Sequence, residues 1–373
     1  MIYLDYSANT PADSRVLQRF IEAETSFIGN PNAHHTAGQA AKCEMIKITE
    51  SIAAQLGAEP DEIIYTSGAS EANNLAIKGI ARTSRHAGKH IISTALEHSS
   101  VSGCLTFLQE QGYEIELAEI QRDGTVSLEH LAELMRKDTV LVAVCAVDSE
   151  LGTVQPIHEI AQIVKKYPQC RLHVDATQAV GKIPLFLEGI DTLALSPHKF
   201  YGLNGCGLLF KRKGLVIEPQ IHGGASTTIY RSGTPTLALA ASTDTALKLI
   251  LSAQEENIAT VRESNLFLRQ ALSAYPKVRL NSPANAVPHI LNLSVAGTRA
   301  GDFQKALDRH GVCVSVKSAC SVENTPSRAV FAVSRDRKNS MASWRISLSH
   351  LTTVQELEEF MKIFEICYKE LTS

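Results

Sequence analysis

Two neighbouring stretches decide the fold: Arg171-Leu-His-Val-Asp175-Ala-Thr-Gln178-Ala and Thr192-Leu-Ala-Leu-Ser196-Pro-His198-Lys199-Phe200-Tyr-Gly. Each reads as a short hydrophobic strand that stops at a polar cluster, and Asp175 stands where the next helix is expected to begin. Outward from them, further apolar runs fall at Glu62–Tyr65, His90–Ser93, Glu114–Leu117, Val140–Val147 and Gly207–Phe210. With Arg171–Val174 and Thr192–Leu195 they make seven candidate strands. Several are apolar at nearly every position, as strands are when both faces of a parallel sheet are covered. Helical segments near 68–82, 98–111, 127–136 and 157–167 lie between them. This alternation specifies an open α/β sheet, and such sheets bind ligands at the carboxyl ends of their strands.

The pattern changes near Pro235. One long helical stretch is expected to about Tyr275, with Leu247, Ile250, Leu251, Val261 and Leu268 at helical spacings. Short strands at Val278–Leu280 and His289–Val295, a helix near 300–309 and a closing helix follow. The closing helix opens on a capping box, Thr353-Val-Gln-Glu356, and carries Val354, Leu357, Met361, Phe364, Cys367 and Leu371 on one stripe. The expected organisation is a large domain over 16–250 and a smaller α+β domain built from 1–15 and 251–373.

Composition narrows the function. The 373 residues carry 36 basic and 39 acidic side chains, net −3, interleaved without a long basic run, which argues against nucleic acid as a partner. The longest apolar run, Val140–Val147, is far short of the ~18 residues that span a bilayer, so no membrane partner is expected. The opening MIYLDYSANTPADS lacks the basic and apolar regions of a secretory signal. The eight cysteines are scattered, with no C-x-x-C, and read as reduced thiols of a cytoplasmic protein; no metal site is expected.

Lys199 directly follows an apolar strand between His198 and Phe200, a setting in which burial favours the neutral amine that Schiff-base chemistry needs. Asp175 has an ordinary alternative as a helix cap. Both at strand ends, however, they match the requirements of pyridoxal phosphate (PLP): a lysine for the aldehyde and a carboxylate for the pyridinium nitrogen. Tyr65-Thr66-Ser67-Gly68-Ala69-Ser70-Glu71-Ala-Asn-Asn supplies a phosphate cradle at a helix start. Its Gly68-Ala-Ser70-Glu-Ala72 is one glycine short of a hydrolase nucleophile elbow, the rival reading of that turn. His98 also follows a strand and can stack on a flat ring, act as an acid or base, or simply end a helix.

The chain resembles the cysteine desulfurases of the NifS/IscS type, within class V of the fold-type I PLP aminotransferases. The matching segments run nearly end to end: Tyr3-Leu-Asp-Tyr-Ser-Ala-Asn-Thr-Pro, Gly29–Gly38, Thr66–Asn74, Glu97-His98, Glu150–Pro156, His173–Gln178, Ser196–Lys199, Arg231–Thr234, Ser318-Ala-Cys320-Ser and Arg345-Ile-Ser. The resemblance implies a large domain with a mainly parallel seven-stranded sheet and a homodimer converting L-cysteine to L-alanine. It implies that Lys199 holds PLP as a Schiff base, Asp175 pairs with the ring nitrogen and Gln178 bonds the phenolate oxygen. His98 would stack on the ring and move protons. Ala69, Ser70, Ser196 and His198 would hold the phosphate, Thr234 would come from the partner subunit, and Arg345 would clamp the substrate carboxylate. Cys320, in the polar small-residue segment Ser315–Ser321 with Lys317 nearby, would take the sulfur as a persulfide and pass it to an acceptor or scaffold protein for iron–sulfur cluster or thiocofactor assembly. Cys145 and Cys367, in apolar settings, read as core.

The chain departs from that pattern near the site. Asp148-Ser149-Glu150-Leu-Gly replaces Asn-Asn-Glu-Ile-Gly, so Ser149 stands where an amide would bond the cofactor or substrate. Gly223-Gly224-Ala225-Ser226-Thr227 replaces a loop with an amide and a charge. These changes leave selenocysteine lyase, another class-V aminotransferase or lyase, and a non-catalytic PLP-binding protein of a sulfur pathway as alternatives.

Overall fold

The β-branched runs become one seven-stranded sheet in the computed structural model, which describes residues 1–317 and 325–372. Its strands are β1 (Ile63–Thr66), β2 (His90–Thr94), β3 (Glu114–Ala118), β4 (Thr139–Cys145), β5 (Arg171–Asp175), β6 (Thr192–Leu195) and β7 (Gly207–Lys211). Their order is β1-β7-β6-β5-β4-β2-β3. The strands β2 to β6 pair in parallel, whereas β7 lies antiparallel to both β6 and β1. Strands β2, β4, β6 and β7 are buried at every position, as expected where both faces of a sheet are covered, and this includes polar residues such as His90, Ser93 and Lys211. The edge strand β3 is only partly buried, and its Glu114 and Glu116 discourage further pairing.

Strand and helix limits fall close to expectation, with informative exceptions. The run Val140–Val147 leaves the sheet after Cys145, because Asp148 N–H donates to Thr153 O at 2.9 Å and turns the chain. No helix follows Asp175; residues 177–182 form successive turns, with Lys182 N–H donating to Ala179 O. The single long helix expected up to Tyr275 is two helices, Leu237–Ser252 and Gln254–Ser273, separated at Ala253. The two serve different cores. Leu237, Ala241, Leu247 and Ile250 pack with the sheet, whereas Val261, Leu268 and Leu272 pack with the C-terminal elements.

That second cluster surrounds a three-stranded antiparallel sheet of β8 (Val278–Leu280), β9 (Ile290–Val295) and β10 (Ser343–Ser347), with β9 central. Ile2–Tyr3 pairs in parallel with Val312–Cys313, and Ile2 and Leu4 join the same cluster as Phe303, Trp344 and Phe364. The closing helix, Val354–Thr372, starts at the anticipated capping box: Thr353 N–H donates to Glu356 Oε2, and Glu356 N–H to Thr353 Oγ1. Its buried face is Leu357, Phe360, Phe364 and Cys367; Val354, placed on that stripe from sequence, overhangs into solvent. Among the described residues no helix is long and apolar enough to cross a membrane.

Candidate active site

A cavity of about 380 Å³ opens where β1, β2, β4, β5 and β6 end. Its wall contains Ala69, Ser70, His98, Ser149, Asp175, Gln178, His198, Lys199 and Arg345, so residues distant in sequence converge on one space. Lys199 ends a 3₁₀ turn that follows β6, and its Nζ donates to Ser7 O at 2.9 Å and Ala8 O at 2.6 Å. The N-terminal segment therefore presents two carbonyls to this amine.

Asp175 ends β5 and serves two purposes. Its Oδ1 accepts from Thr177 N–H at 3.0 Å, which is the local turn-capping role, and its Oδ2 accepts from Asn73 Nδ2 at 2.8 Å. Asn73 is fully buried and its Oδ1 accepts from His173 Nε2 at 2.9 Å, while Thr192 Oγ1 lies 2.9 Å from His173 Nδ1. Burial pushes the His173 pKa down to about 4, against the pull of Asp175, so its ring is neutral. With Nε2 donating, Nδ1 must accept from Thr192, and the donors run Thr192, His173, Asn73 towards the Asp175 carboxylate. The other Asn73 N–H reaches Ser100 Oγ at 2.9 Å, and Ser100 Oγ lies 2.9 Å from His98 Nδ1. Sequence reasoning missed this network. Asn73 was quoted in the cradle motif, but nothing local marked it as the junction between Asp175 and His98.

His98 is the N-cap of the helix Ser99–Glu110, where its Nδ1 accepts from Ser100 N–H at 3.2 Å. Burial lowers its pKa, with Lys199 and Arg328 acting in the same direction and Asp175 opposing. A neutral ring that accepts at Nδ1 carries its proton on Nε2. His98 thus both caps a helix and lines the cavity.

The cradle forms as the helix Ala69–Thr83 begins directly after β1 and a short turn. Glu71 Oε2 accepts from Ser67 N–H at 2.8 Å, and Glu71 Oε1 accepts from Arg231 Nε at 2.9 Å. Burial by itself would raise the Glu71 pKa, yet these partners hold it below the usual value. Gly207 lets β7 approach this turn: a Cβ there would lie 2.6 Å from the Gly68 backbone. His198 reaches the cavity, and burial with Lys199 alongside pushes its pKa down to about 4. Ser196, expected on the phosphate, is fully buried; its hydroxyl donates to Cys206 O at 3.1 Å and lies 2.9 Å from His198 Nδ1, a contact that helps orient the imidazole.

Arg345 lies within β10 and is 2% exposed. Its Nη1 donates to Ser149 O at 2.6 Å and its Nη2 pairs with Asp5 Oδ1 at 2.9 Å. Asp5 Oδ2 also accepts from Ser315 Oγ at 2.7 Å. Arg345 Nε is buried without a partner among the described residues. Thr234 is exposed and does not line this chain's cavity. Cys320 lies outside the described residues; Lys317, before it, donates from Nζ to Thr325 O at 2.7 Å.

Cys145, placed in the core from sequence, is buried but also forms part of the cavity wall. Burial, together with Glu97, Asp148 and Asp175, pushes its thiol pKa far up, which suits an inert neutral thiol. Glu97 itself is pushed up to about 8 and Asp148 to about 7, in both cases chiefly by burial. Neither acid was singled out as titrating abnormally from sequence.

These residues fit PLP. The ring, aldehyde, phenolic oxygen and phosphate need an amine, a carboxylate, an N–H donor and a helix N-terminus in one concavity. The cavity has Lys199, Asp175, Gln178 and the turn at Ala69–Ser70 on its wall, with the orphaned Arg345 Nε beyond.

Residues 2–360 match the model of the family described as aminotransferase class-V. A protein of Dictyoglomus turgidum described as cysteine desulfurase IscS is 36% identical across 99% of this chain and 95% of its own length. Among solved structures, a NifS-like protein superposes with a TM-score of 0.92 at 33% identity, covering 98% of both chains. A structure titled SspA in complex with cysteine has a TM-score of 0.83 at 30% identity, over 95% of this chain and all of that one.

Proposed function

The chain belongs to the aminotransferase class-V family, and from that premise we propose that it is a PLP-dependent cysteine desulfurase. The observation that carries this reading is the convergence of the Lys199 amine, on the 3₁₀ turn after β6, and the Asp175 carboxylate, at the end of β5, on one cavity. Bound PLP supplies an aldehyde that condenses with amines and a ring that withdraws electrons from the substrate carbon. Lys199 holds the aldehyde. Asp175, kept ready by Asn73, holds a proton at the ring nitrogen. Gln178 offers an N–H to the phenolic oxygen, and the turn at Ala69 and Ser70, with His198, holds the phosphate. His98 presents its Nε2–H to the ring side of the cavity.

Arg345 binds the carboxylate of L-cysteine, for which a guanidinium already fixed by Ser149 O and Asp5 is well oriented. Cys320 receives the sulfur. Overall, one C–S bond of L-cysteine breaks, one S–S bond forms on Cys320, and L-alanine leaves, so no external oxidant or reductant enters. In this reading two chains pair so that Thr234 of each reaches the other's site, and the persulfide passes to an acceptor or scaffold protein. The seven described cysteines are all free thiols, consistent with a reducing cytoplasm.

The test pairs two variants. Lys199→Ala is expected to abolish the visible absorbance of the PLP-loaded protein. Cys320→Ala is expected to keep that absorbance and respond spectrally to cysteine while releasing less than about a hundredth of the sulfide, a loss on the scale of a missing nucleophile. An undiminished yellow Lys199→Ala protein, or full turnover by Cys320→Ala, overturns the assignment.

A further inference from the structure

Lys182 takes no part in the chemistry above, yet it is buried at the end of the turns that follow β5. Its Nζ donates to Gln178 Oε1 at 2.6 Å. Gln178 Nε2 in turn donates to Ser7 O at 2.8 Å. Behind the lysine is a second cavity of about 20 Å³, room for one water, bordered by Tyr6, Lys199, Tyr201, His289 and His350. His289 Nδ1 is buried there without a partner among the described residues. The charged groups acting on Lys182 are the cations Lys199 and Arg345, and burial with their repulsion pushes its pKa down to about 7. A buried amine among cations is costly, so its retention calls for a task that a polar donor performs and an apolar chain does not.

The task follows from the symmetry of an amide. A glutamine side chain can rotate by half a turn and exchange its oxygen with its nitrogen at little steric cost, so partners alone decide which end faces where. Ser7 O can only accept, and Lys182 donates. Together they fix the Gln178 amide, on the wall of the main cavity, with its nitrogen beside Ser7 and its second N–H without a partner among the described residues. We propose that Lys182 is a positioning residue that locks the Gln178 amide so that this second N–H is presented to the cofactor's phenolic oxygen. The inference rests on the PLP reading above.

The consequence is spectroscopic. An N–H donated to the phenolic oxygen stabilises its negative charge and weakens its hold on the neighbouring Schiff-base proton, which therefore leaves at lower pH. Without Lys182 only Ser7 O holds the amide, so its nitrogen is presented less firmly and the proton is held more tightly. The experiment is a pH titration of the visible absorbance of PLP-loaded resting protein for wild type, K182M, K182Q, Q178L and the K182M/Q178L double variant. K182M is expected to raise the midpoint by roughly one unit, about tenfold in proton affinity. K182Q, neutral but still a donor, is expected to stay near wild type, and the double variant to move no further than Q178L alone. An unchanged midpoint in K182M, additive shifts in the double variant, or a full-unit shift in K182Q each overturns the proposal; the K182Q arm decides the matter even if K182M does not fold. A wild-type protein that takes up no PLP and shows no visible band overturns the cofactor reading instead.

Discussion

At the scale of single residues, burial sets the ionisation of groups behind the site. Glu97 Oε1 accepts from Thr94 Oγ1 and Cys145 N–H, but Oε2 is buried without a partner among the described residues. Its folded pKa of about 8 lies well above the unfolded value of about 4.3. Below pH ~4 the carboxyl is neutral in both states, and its contribution to stability is complete. As pH rises towards 8 the unfolded chain releases the proton while the folded one retains it, so stability is lost across that window. Glu97→Gln is therefore expected to flatten the fall in melting temperature between pH 5 and pH 8, measured by calorimetry; parallel curves for variant and wild type would refute this. Lys199, Asp175 and His98 were legible as cavity candidates because each lies at, or within four residues of, the carboxyl end of a strand, where position along the chain already implies position in the fold. Asn73, His173 and Lys182 were not, because their roles depend on partners brought together by the sheet. Cys145 was half legible: its apolar strand signalled burial, but one side of that strand's end faces the cavity.

At the scale of elements, the close contact between β7 and the turn at Gly68 determines whether the cradle closes. Gly207→Ala places a methyl 2.6 Å from backbone atoms that have little freedom to move. It is expected to cost about 1–3 kcal/mol, as overpacking does, and to weaken PLP binding by displacing the start of the helix Ala69–Thr83. Denaturant unfolding and fluorescence titration with PLP check both effects, and wild-type values in each would sink the argument. Periodicity located the seven strands and the helices between them to within a few residues, but it did not mark the helices Ser14–Ser26 and Thr36–Leu56 that precede them. It did not reveal the break at Ala253, since Ser252-Ala253-Gln254 contains no residue that forbids a helix. The break is tertiary in origin, arising where the chain passes from the core beneath the large sheet to the C-terminal core. The absent helix after Asp175 has a local cause: Gly181, at φ +74°, closes the turns against Ile250.

At the scale of the whole molecule, the Asp5–Arg345 pair joins the N-terminal segment to β10, and Ser315 bonds the same carboxylate. Asp5→Ala leaves the guanidinium buried and without its counter-ion, which is expected to destabilise the protein by about 3–5 kcal/mol. Asp5→Asn, which can still accept a hydrogen bond, is expected to cost less. Urea unfolding measures both, and an Asp5→Ala midpoint equal to that of wild type would show that the pair is not structural. The α/β class and the C-terminal α+β segment were legible from alternation alone, whereas this linkage was not, because an aspartate and an arginine at opposite ends of a chain carry no shared pattern. The strand order has a further consequence, for the making of the protein. Among the described residues β1 pairs only with β7, so the cradle emerges from the ribosome long before the strand that fixes it. The Ser7 and Ala8 carbonyls wait for Lys199, and Asp5 waits longer still for Arg345. Such long-range closures form late and slowly. In the proposed reading, cofactor capture follows these closures, and a chain ending before Gly207 is expected to show no visible absorbance with PLP.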